Sequence, residues 1–179
     1  MNKIFTGAAF LFLITASSCI NLKKLQRGDL IAATEKNYEF LEGKYANWSP
    51  ANNNSYSYSL WQALDFKKNN TFKAPRNSTV TIKALGSNAL QADLWHDSIK
   101  IKTVTLKGEY KEGYFSVKRY YRTIPIPIIC YLVTDHKIRI GKVMNGDLVL
   151  DAADSRFGWI LLISAGSGDK YDAAFPPGQ

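Results

Sequence analysis

From Tyr38 onward the chain is built of short runs rich in Val, Ile, Tyr, Phe and Trp. Gly, Asn, Asp and Pro cut these runs at short intervals. Alternation with a period of two is the pattern of a strand with one face buried, and such frequent turn residues leave room only for short strands. The pattern predicts strands over 39–48, 56–66, 80–84, 90–94, 99–110, 114–122, 128–134, 137–143, 147–152 and 159–164, with no convincing internal helix. Pro50 to Ser55 and Lys67 to Ser78 read as loops, Gly86-Ser87-Asn88 and Asp135-His136 as turns, and Glu112-Gly113 as a tight hairpin. Pro125 and Pro127 break the stretch after 114–122, which resumes at Ile128. Asn145-Gly146 is the strongest hairpin signal and suits a type I′ turn. The alternation slips near Thr103-Val104, where a β-bulge is expected.

No segment repeats with a period of about 20–50 residues, which disfavours a propeller or solenoid. Consecutive hairpins make a meander, and a meander of about eight to ten strands removes its open edges by curling into an up-and-down barrel. The expected fold is therefore all-β: a single antiparallel barrel over residues 38–165, followed by a polar tail, 166–179. Gly166-Ser167-Gly168 reads as a flexible end, not a phosphate cradle. A transmembrane barrel needs a continuous outward apolar band. Lys100, Lys102, Lys118, Arg119, Arg139 and Lys142 interrupt the candidate strands and oppose one.

The start of the chain carries a different signal. Lys3 precedes the apolar run Ile4–Ala16, which falls short of the ~20 residues that a spanning helix needs. Three small residues, Ala16-Ser17-Ser18, lead to Cys19. This is the layout of a secretory signal, residues 1–18, cut before a cysteine. The segment resembles the lipobox of bacterial lipoproteins, with Ala16 where Leu is usual. The resemblance implies lipidation of Cys19 by diacylglycerol and by an amide-linked acyl chain such as palmitate. Two or more chains anchor a protein stably where one holds it marginally, at ~0.8 kcal/mol per buried CH₂. Ile20 follows the cysteine where an inner-membrane retention signal would place Asp, which points to the outer membrane. Residues 19–37 then form a tether. Lys23, Lys24 and Arg27 within it suit anionic headgroups.

The formal charge is +8, Lys3 included. An exported, tethered chain is a poor nucleic-acid binder, so none is expected as a partner. After Cys19 only Cys130 remains, so no intramolecular disulfide is expected. Cys130 sits in an apolar run with no flanking charge and reads as an inert buried thiol. The sequons at Asn47, Asn53, Asn69 and Asn77 read as chance in an exported bacterial chain.

The segment Phe40-Leu41-Glu42-Gly43-Lys44-Tyr45-Ala46-Asn47-Trp48 resembles the opening strand of lipocalin-like proteins, with Tyr45 in place of the usual Trp. Lys83-Ala84-Leu85-Gly86, Leu106-Lys107-Gly108-Glu109-Tyr110 and Gly113-Tyr114-Phe115 resemble central hairpins of small bacterial lipoproteins with a fatty-acid-binding-protein-like barrel. Thr134-Asp135-His136 is similar to a second lipocalin motif, Thr-Asp-Tyr. The resemblance implies a calycin-like barrel and a possible calyx, and it names no ligand.

Catalytic signatures are not evident. His96 and His136 each neighbour an Asp but read as exposed turn residues, and no spacing supplies the three or four convergent ligands of a metal site. No nucleophile elbow or CxxC pair is present. Asp151 and Asp154 are the remote candidates for an envelope hydrolase. No cofactor is expected. Tyr, Phe and Trp make up 13% of the chain. They would either fill the barrel or line a pocket for an amphipathic ligand. The candidate ligand-binding residues are Tyr58, Trp61, Trp95, Arg119, Tyr121 and Arg122, with basic residues, Lys118 among them, holding an anionic head. The expected function is non-catalytic: a membrane-anchored envelope lipoprotein that binds a small apolar or amphipathic molecule. The alternative is a filled barrel that docks a protein partner.

Overall fold

In the computed structural model, residues 29–32, 34, 36–50, 58–66, 72–126, 130–160 and 163–178 are described, with 124–126, 130, 131, 159, 160, 163 and 164 described by backbone alone. Cys19, the signal segment, Ile20, the basic residues Lys23 to Arg27, Asn53, Asn69 and Pro127 lie outside the described residues. So does the side chain of Cys130.

Ten strands form one antiparallel, curled, half-barrel sheet. They are β1 (Leu30–Ile31), β2 (Gly43–Ala46), β3 (Thr79–Ala84), β4 (Ala89–His96), β5 (Ile99–Lys111), β6 (Tyr114–Val117), β7 (Tyr120–Ile126), β8 (Cys130–Val143), β9 (Leu148–Ile160) and β10 (Ile163–Phe175). The bonded order runs β10-β9-β8-β6-β5-β4-β3-β2, with β1 and β7 also paired to β8. The two ends of this path meet: Ala46 N–H donates to Pro176 O (2.9 Å), and Gly178 N–H donates to Lys44 O (2.8 Å).

Several expected boundaries move. The phase slip falls between Leu94 and Trp95 opposite Lys102 and Lys100, so Ile101 is the extra residue, two positions before Thr103. Asp135-His136 is not a turn, because β8 runs unbroken from 130 to 143 against β9. Residues 166–175, expected as tail, complete β10. The expected strand 114–122 is two strands, parted at Lys118-Arg119. Asn145-Gly146 is not type I′: Gly146 has φ 93 and Asn145 is absent from the positive-φ residues. Val143 pairs across the loop with Asp147, as in a three-residue turn with a glycine bulge. The two-residue turns with positive φ at both positions are Asp97-Ser98 and Glu112-Gly113.

The largest departure is Leu60–Leu64, a short helix where a strand was expected. Alternation in Tyr56–Phe66 is imperfect, because Leu60, Trp61 and Leu64 also fit one helical face. Ser59 caps the helix, its hydroxyl accepting from Gln62 N–H (3.3 Å). Leu60, Trp61 and Leu64 are fully buried and pack in one cluster with Tyr45, Val80, Ile82, Leu90, Leu94, Leu106, Phe115, Ile140, Leu150 and Phe175. The helix is thus a plug inside the curled sheet.

A buried amide ties the plug to the sheet. Asn47 Nδ2 donates to Ser78 Oγ (2.9 Å), and Asn47 Oδ1 accepts from Ser59 Oγ (3.1 Å) and from Trp61 N–H (2.8 Å). Its carbonyl accepts from Leu60 N–H (2.7 Å). Asn47 has no exposed surface, which also removes it as a glycan acceptor in the folded chain.

Strand length is uneven around the sheet. β2 has 4 residues, whereas β8 has 14 and β10 has 13. At ~3.3 Å per residue, β8 is about 45 Å long. The core occupies only one end of it. Beyond His136 the strands β7–β10 run on as a blade in which Leu132 is 37% exposed and residues 165–168 are all exposed.

Replacing Asn47 with Ala leaves Ser59, Ser78 and the Trp61 N–H without their buried partner. The expected loss is about 2–4 kcal/mol of unfolding free energy, at the usual cost of a few buried unsatisfied groups. Urea denaturation measures it. A loss below about 0.5 kcal/mol would show that the plug is held by packing alone.

Candidate functional site

A groove of about 1340 Å³ lies where β6 gives way to β7. Lys118 N–H makes a bond from this segment to β5, donating to Lys107 O at 2.6 Å. After it the chain pairs with β8 alone, and the sheet parts between the first half of β5 and β7. Alternation sends Lys107, Glu109 and Lys111 outward from β5, because Leu106 points into the core. Lys137 and Arg139 point outward from β8 between the inward Ile138 and Ile140. Ser116 lies in register with both Glu109 and Arg139. Gly108 lets β5 and β6 meet closely here, since a Cβ would stand 2.3 Å from Ser116 O.

Six basic residues line this groove (Lys107, Lys111, Lys118, Arg119, Lys137 and Arg139) against two acidic ones, Glu109 and Glu112. Two of the cations are held in place. Arg119 makes a two-pronged ion pair with the buried Asp135. Arg139 Nη2 donates to the buried Asp151 (3.1 Å), and its guanidinium lies 4.8 Å from the Tyr114 ring centroid. A planar guanidinium held by a carboxylate presents a fixed donor edge. The arrangement can bind an anionic group. Among the described residues no cluster of three or more His, Cys, Asp or Glu could hold a metal, and no helix is long and apolar enough to cross a membrane.

The candidate ligand-binding residues do not share one cavity. Trp61 is sealed in the core. Tyr58 stacks on Tyr171 (4.9 Å between centroids, 4° between planes). Burial lifts the Tyr171 hydroxyl to about 12, with Tyr58 adding to the rise. Trp95 lies on the outer face of β4, in a concavity of about 450 Å³ shared with Lys44, Thr79 and Thr81. Tyr121 is 57% exposed. Tyr121 and Arg122, being adjacent in a strand, project from opposite faces, and only Arg119 reaches the groove. Asp151 and Asp154, an odd number of residues apart, also face opposite sides. They do not form a carboxylate pair.

His136 is the residue that local reading placed wrongly. It is 9% exposed, inside β8, against the Phe66 ring (4.4 Å between centroids). Its Nδ1 contacts Asp154, its cross-strand neighbour on β9, rather than Asp135. Burial lowers its pKa below 6.5, outweighing the Ala63 carbonyl and the Asp135 carboxylate, which raise it. His96, by contrast, sits at the β4–β5 turn with Asp97 at 3.2 Å, as the sequence suggested.

No protein-family model, no curated protein and no solved structure matches the chain.

The lowered pKa has a defined consequence. Above the unfolded value of about 6.5, His136 is neutral in both states and its contribution to stability is intact. As pH falls below that value, the unfolded chain takes up a proton that the folded chain resists, and stability declines towards the folded pKa. Urea unfolding at pH 7.5 and 5.5 should show this decline, and His136→Gln should flatten it. An unchanged slope in the variant would assign the decline to other groups.

Proposed function

We propose that this chain is a lipid-anchored envelope lipoprotein of the outer membrane, non-catalytic, with a filled lipocalin-like barrel that docks an acidic partner protein at its outer groove. The observation that carries the reading is the plugged interior: Leu60, Trp61 and Leu64 occupy the space that a small-molecule carrier would need as an empty apolar pocket. The polar, basic groove is the larger of the two outer concavities described and the one rich in charge. Like-signed charge along a groove steers and selects an oppositely charged partner more than it adds affinity. The signal segment and Cys19 support the anchor, and Ile20 supports the outer membrane.

Three measurements test the parts separately. In a bacterial host, labelled palmitate should enter the chain, and Cys19→Ser should abolish the label. Native mass spectrometry with organic extraction should return the bare protein; a stoichiometric lipid would overturn the filled barrel in favour of a carrier. Oligoglutamate serves as a probe for the groove. Its binding should weaken by roughly an order of magnitude in the Lys107→Glu, Lys137→Glu double variant, each charge reversal costing a few-fold. Equal binding by the variant would remove the groove from the proposal.

A further inference from the structure

The blade formed by β7–β10 ends without a charge. Its last described row, in register across four strands, is Ile126, Cys130, Ile160 and Ile163. The next row contains Tyr131 opposite Trp159. The three rows behind the end row contain no Asp, Glu, Lys, Arg or His. The fifth row brings two arginines to one depth, Arg122 and Arg156, either side of Thr134. Both are exposed.

We infer that this end of the blade is a second membrane contact, inserting into the surface of an anionic bilayer. The order of chemistry along the strands matches the order of layers in a lipid leaflet. Uncharged aliphatic residues come first, a Tyr–Trp pair follows within the uncharged rows, and paired arginines stand where phosphates would be. Four rows span roughly 10 Å at the rise of a strand, close to the ~5–10 Å depth of an interfacial insertion. Aromatic rings with a polar edge favour the headgroup boundary, and each arginine near an anionic surface strengthens attachment about fivefold. No acidic residue in the first five rows opposes the headgroup charge.

This contact is separate from the acylation proposed at Cys19 and does not rest on it. The chain enters the sheet at Leu30, paired with Val143, which is the opposite end of β8 from Cys130. About 40 Å of strand separates the two places.

The test follows Trp159 in the full chain, as the difference between the emission of the natural protein and of Trp159→Phe. Vesicles of phosphatidylcholine with phosphatidylglycerol, carrying brominated acyl chains, report the depth of the ring. Insertion should quench this difference signal roughly twofold or more, as expected for a ring at the acyl boundary. Pure phosphatidylcholine vesicles should quench it less, and the Arg122→Gln, Arg156→Gln pair should bring the anionic vesicles down to that lower level. Ile160→Asp, checked for folding by circular dichroism, should abolish the quenching. The arginine pair keeps the test decisive if that variant fails to fold. Vesicle-bound protein with an unquenched Trp159 would overturn the inference, as would failure to bind vesicles at all. A dimer in vesicle-free solution that Ile160→Asp converts to monomer would also overturn it, by assigning the blade end to self-association.

Discussion

The carboxamide of Asn47 joins three parts of the chain that are distant in sequence: the end of β2, the Ser78 turn before β3 and the start of the short helix. A buried amide in a low-dielectric interior carries a high cost when its partners are missing. Its bond to the Trp61 N–H adds to packing in fixing the position of Trp61. Trp61 fills the inside of the curled sheet. This node and the burial of Leu60, Trp61 and Leu64 together make the molecule a plugged half-barrel.

Uneven strand length divides the labour further. Short strands β2, β3 and β4 enclose the core with β5, the near ends of β8 and β9, and the end of β10. The far ends of β8, β9 and β10 have no core to cover. Their described side chains are exposed or half-buried, with Leu132, Arg156 and residues 165–168 exposed. The break at Lys118-Arg119 lies at the boundary between these regions. There the sheet loses the pairing with β5, and the outward lysines of two strands come to face one groove.

Much of the β architecture was legible in local pattern. Val80, Ile82, Leu90, Ala92 and Leu94 alternate cleanly and bury one face, as a period of two requires. Glu112-Gly113 reads correctly as a tight hairpin. Asp135-His136 misleads because Asp favours turns in general. Here Asp135 is instead satisfied by Arg119 in the break between β6 and β7, a partner that local sequence does not reveal. Leu60-Trp61 misleads for a related reason: alternation and helical spacing overlap in so short a segment, and tertiary contacts with Asn47 decide between them. Of the site, Arg119 was legible as a rim cation. Lys107, Lys111 and Lys137 were not, since their convergence depends on which strands lie side by side.

The sequence by itself determined most of the strand-forming segments between Thr79 and Lys111, their buried faces and the excess of positive charge, because each follows from residue type and spacing along the chain. Only the tertiary structure decided that the interior is plugged, that six cations line one groove and that two arginines reach the same depth on the blade. Those facts depend on register between strands far apart in sequence, and register is set by the closing of the sheet as a whole.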